Sequence, residues 1–186
     1  MKIAFITGNT GKMREISRFL SGLEIELYME EGPFIEIQAD SLEEVVTTGM
    51  DLLTRDREFD GAIIKEDSGL FISALDGFPG VYSAYVHKTI GNSGILSLMK
   101  DERKRDAVFR TVIGLMIPEE GLSLFRGECR GTIALEERGR QGFGYDPIFI
   151  PKGEELTFAE MGLDEKNRIS HRTRAVQRMV EFLKKR

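Results

Sequence analysis

Apolar residues recur along this chain in two rhythms. Lys2-Ile3-Ala4-Phe5-Ile6 is a short apolar run that passes into Thr7-Gly8-Asn9-Thr10-Gly11-Lys12, after which Ile16, Phe19, Leu20 and Leu23 return at helical spacing. The order is strand, glycine loop, helix. Ser41-Leu42-Glu43-Glu44 reads as a capping box, with the serine hydroxyl placed for the N3 amide and Glu44 for a reciprocal bond. It opens a helix bearing Val45, Val46, Met50, Leu52 and Leu53. Gly61-Ala62-Ile63-Ile64 reads as a buried strand running into Lys65-Glu66-Asp67-Ser68-Gly69, which puts two carboxylates at a strand end.

Phe78-Pro79-Gly80-Val81-Tyr82 predicts a turn, and residues 91–100 a shorter helix with Ile95, Leu96 and Met99 on one side. Residues 107–117 and 122–129 alternate as antiparallel strands joined at Pro118-Glu119-Glu120-Gly121, and residues 131–136 are expected to form a third. The glycine-dense stretch from Arg138 to Pro147 leads into Ile148-Phe149-Ile150. From about Asp164 onward, Ala175, Val176, Met179, Val180 and Leu183 predict one amphipathic helix ending on Lys184, Lys185 and Arg186, where cations suit the helix dipole. With no repeat, low-complexity tract or linker, residues 1–186 read as a single α/β domain built on a mixed β-sheet flanked by helices.

The 186 residues are 41% hydrophobic and 31% charged, which suits a soluble globular chain and excludes a fibre or a disordered tail. The 31 acidic against 26 basic side chains, a net charge of -5, argue against a protein whose main work is gripping long nucleic acid. Cys129 alone cannot close an intrachain disulfide, and with only His87 and His171 beside it no zinc set is present, so a reduced cytoplasm fits. The first apolar run is too short for a signal peptide, and no later stretch approaches a membrane span.

Four segments carry candidate chemistry. In Thr7-Gly8-Asn9-Thr10-Gly11-Lys12, small residues, a helix start and a lysine suit a phosphate, although the spacing is not that of a Walker A loop and an ordinary strand-to-helix turn looks the same. Glu66 and Asp67 offer hard oxygen ligands of the kind Mg²⁺ takes, or else a solvated strand end. Glu36 is a lone acid among apolar neighbours, as an outward-facing strand position also would be. Gly142-Phe143-Gly144-Tyr145-Asp146-Pro147 leaves backbone and an aromatic face open to a nucleobase, or packs its aromatics in a turn. Lys166-Asn167-Arg168-Ile169-Ser170-His171-Arg172 is a run of donors at a helix start, equally read as a solvated one.

Taken in order, Thr7-Gly8-Asn9 with Lys12, Glu66-Asp67-Ser68-Gly69-Leu70, residues 75–84, Phe143-Gly144-Tyr145-Asp146-Pro147-Ile148-Phe149, Ala159-Glu160-Met161, Lys166 and Ile169-Ser170-His171-Arg172 resemble the inosine triphosphate pyrophosphatase family. The resemblance runs from residue 7 to residue 172. It implies Mg²⁺-dependent hydrolysis of ITP, dITP and XTP to the monophosphate and pyrophosphate, in a cytoplasmic homodimer. It implies a long mixed sheet in two lobes with a cleft between them. It assigns Thr7, Gly8, Asn9, Thr10, Gly11 and Lys12 to the triphosphate, Glu36 and Asp67 to the metal, Asp67 also to proton acceptance, and Ser68 to the nucleotide. Phe143, Gly144, Tyr145, Asp146, Lys166, His171 and Arg172 fall to the base and sugar. The chain departs from the pattern in one place. Val45-Val46-Thr47-Thr48-Gly49-Met50 carries no lysine where family members often have one, and Lys65 is the candidate to stand in. Two other readings remain open: a pyrophosphatase of pyrimidine or modified nucleotides, and a non-catalytic nucleotide- or RNA-binding module.

Overall fold

A computed structural model describes residues 1–30, 37–55, 59 and 61–185. Among them the strands are β1 (Lys2–Ile6), β2 (Glu26–Glu30), β3 (Ala62–Ile72), β4 (Asp106–Ile117), β5 (Gly121–Ile133) and β6 (Phe149–Pro151). The helices are α1 (Thr10–Leu20), α2 (Leu42–Arg55), α3 (Ser83–Thr89), α4 (Gly91–Leu98), α5 (Leu163–Ile169) and α6 (His171–Leu183). The strands form one six-stranded sheet in the order β2-β1-β3-β4-β5-β6. It is mixed, because β1 runs parallel to β2 and β3 while β5 and β6 are antiparallel. The α/β reading is borne out.

The chain folds as two compact units, residues 1–67, 111–127 and 172–186 in the first and residues 68–110 and 128–171 in the second. In the first, strand alternation sorts the core. Ile3, Phe5 and Ile64 face Ile16 and Leu20 of α1 and Ala175, Val176 and Met179 of α6, while Ala4, Ile6 and Ile63 face Met50 and Leu53 of α2. The second packs Leu70, Ile72, Ile95, Met99, Phe109, Phe149, Phe158 and Met161 together.

Four sequence-based expectations change. β3 does not end at its carboxylates but runs on to Ile72. The strand that does end there is β1, whose last registered partner of β3 is Phe5 against Ile64, so the loop after Ile6 lies beside Glu66 and Asp67. Polar residues in the middle of a strand are thus explained by a neighbour that stops short. Residues 131–136 are not a third strand, since β5 continues unbroken to Ile133. Gly131 is there because β6 lies so close that a Cβ would run into the carbonyl of Ile150. The C-terminal helix is two helices, divided at Ser170, whose extended backbone (φ -68°, ψ 153°) ends α5 before α6 begins at His171. Finally, β2 and α3 are elements that apolar spacing did not signal. The helix start at Ser41 is capped as expected, the Glu44 amide donating to Ser41 Oγ at 3.2 Å, while the Glu44 carboxylate accepts from the Asp40 amide at 3.3 Å rather than from Ser41.

Candidate active site

In the first unit the glycine loop is held by its own polar side chains. The Asn9 amide donates to Thr7 Oγ1 at 3.1 Å, and Asn9 Oδ1 caps α1 by accepting from the Lys12 amide at 3.0 Å. Gly8, Asn9 and Thr10 are exposed, with Gly11 and Lys12 half-buried. The loop therefore presents backbone and the positive end of a helix, the arrangement that receives phosphate groups.

Lys12 reaches across to β3. Its Nζ lies 2.6 Å from Glu66 Oε2, 3.3 Å from the Glu66 carbonyl and 3.9 Å from Asp67 Oδ1. Glu66 Oε1 accepts from Thr111 Oγ1 of β4 at 3.3 Å and from Arg172 Nε at 3.2 Å, with Arg172 Nη2 also at 3.2 Å. Arg172 Nη1 donates in turn to Glu15 Oε2 of α1. The result is a row of alternating charges, Glu15, Arg172, Glu66, Lys12 and Asp67. Burying such charges is costly unless each is paired, and here each is. The Glu66 side chain is fully enclosed, whereas that of Asp67 is 25% exposed. Two neighbours in sequence thus have different chemistry: Glu66 organises two cations and a hydroxyl, and Asp67 retains an outward face.

That outward carboxylate is the donor to consider for a metal. Among the described residues no group of three or more His, Cys, Asp or Glu side chains converges to hold an ion. Glu36, the other expected ligand, lies outside the described residues. An oxygen donor with few companions fits Mg²⁺, which takes one or two carboxylates and fills its remaining positions with water and substrate phosphate oxygens.

In the second unit the aromatic loop is built around a buried ion pair. Lys166 Nζ of α5 lies 2.6 Å from Asp146 Oδ2, both side chains being 3% exposed, and the same oxygen accepts from the Phe143 amide at 2.8 Å. The ammonium also stands over the rings of Phe143 and Phe158, at 5.1 and 5.2 Å from their centroids. His171 is buried and stacks on Phe109 with ring centroids 4.6 Å apart. Ser68 follows Asp67 on β3, half-buried.

Tyr145 is committed to the core. Its hydroxyl donates to the Ser83 carbonyl at 3.0 Å, burial pushes its phenol well above the ordinary tyrosine range, and Ser83 Oγ accepts from the Leu70 amide at 2.8 Å. The tyrosine thus anchors the loop to α3 and, through Ser83, to β3. Tyr145→Phe would remove this buried hydrogen bond, a loss of about 0.5–1.5 kcal/mol by denaturant unfolding. An unchanged midpoint would show the bond to be dispensable.

Glu15, Thr111 and Asn92 were not singled out from sequence. Asn92 Nδ2 donates to the Gly144 carbonyl at 3.2 Å, holding the same loop from α4. Glu15 carried a readable signal, since it abuts Ile16 on the helix face that turns to the core, but an acid there is ordinarily assigned to solvent.

A model described as Ham1 family matches residues 3–182. The chain belongs to the Ham1 family. Relatives named dITP/XTP pyrophosphatase in Methanopyrus kandleri and Thermococcus kodakarensis are each 50% identical over 184 residues, covering 99% of this chain and 97% and 98% of theirs. Among solved structures, a HAM1 protein from Coxiella burnetii superposes with a TM-score of 0.85 at 30% identity over 100% of both chains. The Ham1 protein of Staphylococcus aureus does so with a TM-score of 0.81 at 26% identity, covering 99% of this chain and 98% of that one. Ham1 membership accounts for the motif order seen in the sequence, and the mixed sheet found here is the Ham1 fold.

Proposed function

We propose that this Ham1 protein hydrolyses the deaminated purine nucleoside triphosphates ITP, dITP and XTP to the monophosphate and pyrophosphate, with Mg²⁺ and Asp67 as proton acceptor. The observation that carries the reading is the contrast between its adjacent acids. Glu66 is enclosed by Lys12, Arg172 and Thr111, while Asp67 keeps a quarter of its side chain exposed. The names of the relatives support the same substrate class.

The residues divide the chemistry. Lys12 and the amides of Gly8 to Lys12 receive the phosphate oxygens and the charge of the departing pyrophosphate. Asp67 takes the proton of the attacking water, which an enclosed Glu66 cannot reach. Asp67 and Glu36 would hold Mg²⁺, whose charge would neutralise phosphate oxygens. Phe143 stacks on the base, and donors of the Lys166 and His171 region meet the purine 6-keto oxygen. Adenine would turn its amino hydrogens toward those donors and leave them unpaired, at roughly 1–3 kcal/mol per group.

The decisive experiment is a nucleotide panel assayed with and without Mg²⁺. ITP, dITP and XTP should release pyrophosphate and monophosphate, and ATP, UTP, CTP and dTTP far less. Release of single phosphates, or equal use of pyrimidine nucleotides, would sink the reading. The proposal extends to a homodimer in the cytoplasm, where the nucleotide pool lies. Exposed Phe78, Tyr82 and Tyr85 in the second unit support association, which sedimentation would measure.

A further inference from the structure

We propose that Lys65 is a third phosphate-binding cation of this site, on the side of β3 opposite Arg172, and that Gly49 in α2 is the seat that admits it. The inference rests on the triphosphate reading above.

Alternation along β3 decides which side each group serves. Ile64 packs with α1 and α6, and Glu66, two residues on, meets Arg172 there. Ile63 packs with Met50 and Leu53 of α2, so Lys65 and Asp67 take that opposite face. The Gly49 contact confirms it. A Cβ on Gly49 would overlap Cε of Lys65 and lie 3.2 Å from its Nζ, so the lysine stem crosses α2 at that residue. Glycine in a helix interior is otherwise unfavourable, and α2 has this one at the middle of its fourteen residues. The half-buried Lys65 therefore shares a face with the acid proposed to receive the proton.

Charge supplies the reason for a third cation. Lys12 and Arg172 both already share their charge with Glu66. A triphosphate brings several further negative charges to that row, and a nearby cation offsets them. Lys65 adds a cation on the face where Asp67 is exposed, and a flexible stem lets its ammonium follow the phosphate.

The test uses the full chain with inorganic pyrophosphate as probe, titrated by calorimetry with Mg²⁺ into wild type, Lys65→Met, Lys65→Arg and Gly49→Ala, alongside thermal melts and ITP kinetics. Lys65→Met should weaken pyrophosphate binding and kcat/KM for ITP by roughly 10- to 100-fold at an unchanged melting midpoint, the size of one lost charged hydrogen bond, with Lys65→Arg restoring most of it. Gly49→Ala should weaken pyrophosphate binding similarly without lowering the midpoint, because alanine suits the helix better while displacing the lysine. A Lys65→Met variant that binds pyrophosphate within twofold of wild type overturns the inference, as does one that merely melts earlier. Gly49→Ala with wild-type pyrophosphate affinity overturns the seat. If wild type leaves ITP intact yet Lys65→Met loses pyrophosphate, the nucleotide reading falls and the cation site stands.

Discussion

Asp67→Asn should lower kcat for ITP by roughly 10²- to 10⁴-fold, the range that positioned general bases contribute, while the protein still folds and binds nucleotide. The asparagine keeps the size and the partly exposed position of the side chain but neither accepts a proton nor offers an anionic oxygen. Lys12, 3.9 Å away, retains its closer partner Glu66 at 2.6 Å, so the cation row survives. Single-turnover kinetics with a parallel calorimetric titration of ITP separate the two effects. Near-normal turnover in Asp67→Asn would move the proton acceptor elsewhere.

The largest effect on stability is expected from Arg172→Ala. Removing the guanidinium leaves Glu15 and Glu66 buried without it, and breaking a buried ion pair on one side costs about 3–5 kcal/mol. For a chain of this size that is a fall of roughly 6–20 °C in melting midpoint. Adding Glu15→Gln to Arg172→Ala should recover part of the loss, because an uncompensated charge is then gone. The exposed pair Lys2–Glu26, at 3.5 Å and more than half in solvent on both sides, sets the contrast: its removal should shift stability by about 1 kcal/mol or less. Strict additivity of Arg172→Ala and Glu15→Gln in urea melts would mean the two side chains do not act as a unit.

Much of this site was legible before any coordinates. The glycine loop announced itself because a strand that must turn directly into a helix needs small residues and a cap, and Asn9 is that cap. Lys12, Asp67 and Arg172 were named individually, and the structure joins Lys12 and Arg172 to the Glu66-Asp67 pair in the first unit, while Phe143, Asp146 and Lys166 cluster in the second. Sequence spacing failed where contact partners are remote. Thr111 and Glu15 join Glu66 only through other elements, one directly and one by way of Arg172, and nothing in their neighbourhoods along the chain says so. Asn92 reaches Gly144 across 52 residues. The glycine loop around Tyr145 could be read as open to a nucleobase or as a turn with packed aromatics, and for Tyr145 the fold chose the second: its ring found a core and its hydroxyl found Ser83.

Periodicity alone settled the α/β class and the helix faces of α1, α2 and α6, because apolar burial acts on every turn and every second strand residue regardless of partner. The ordered motifs settled the family. Which of two adjacent acids is sealed and which is exposed was decided only in three dimensions. Alternation says that Glu66 and Asp67 face opposite ways, but what stands on each side depends on where β1 stops and which helices lie over β3. A carboxylate's chemistry follows from its solvation and its neighbours' charges, and those are properties of the packed fold.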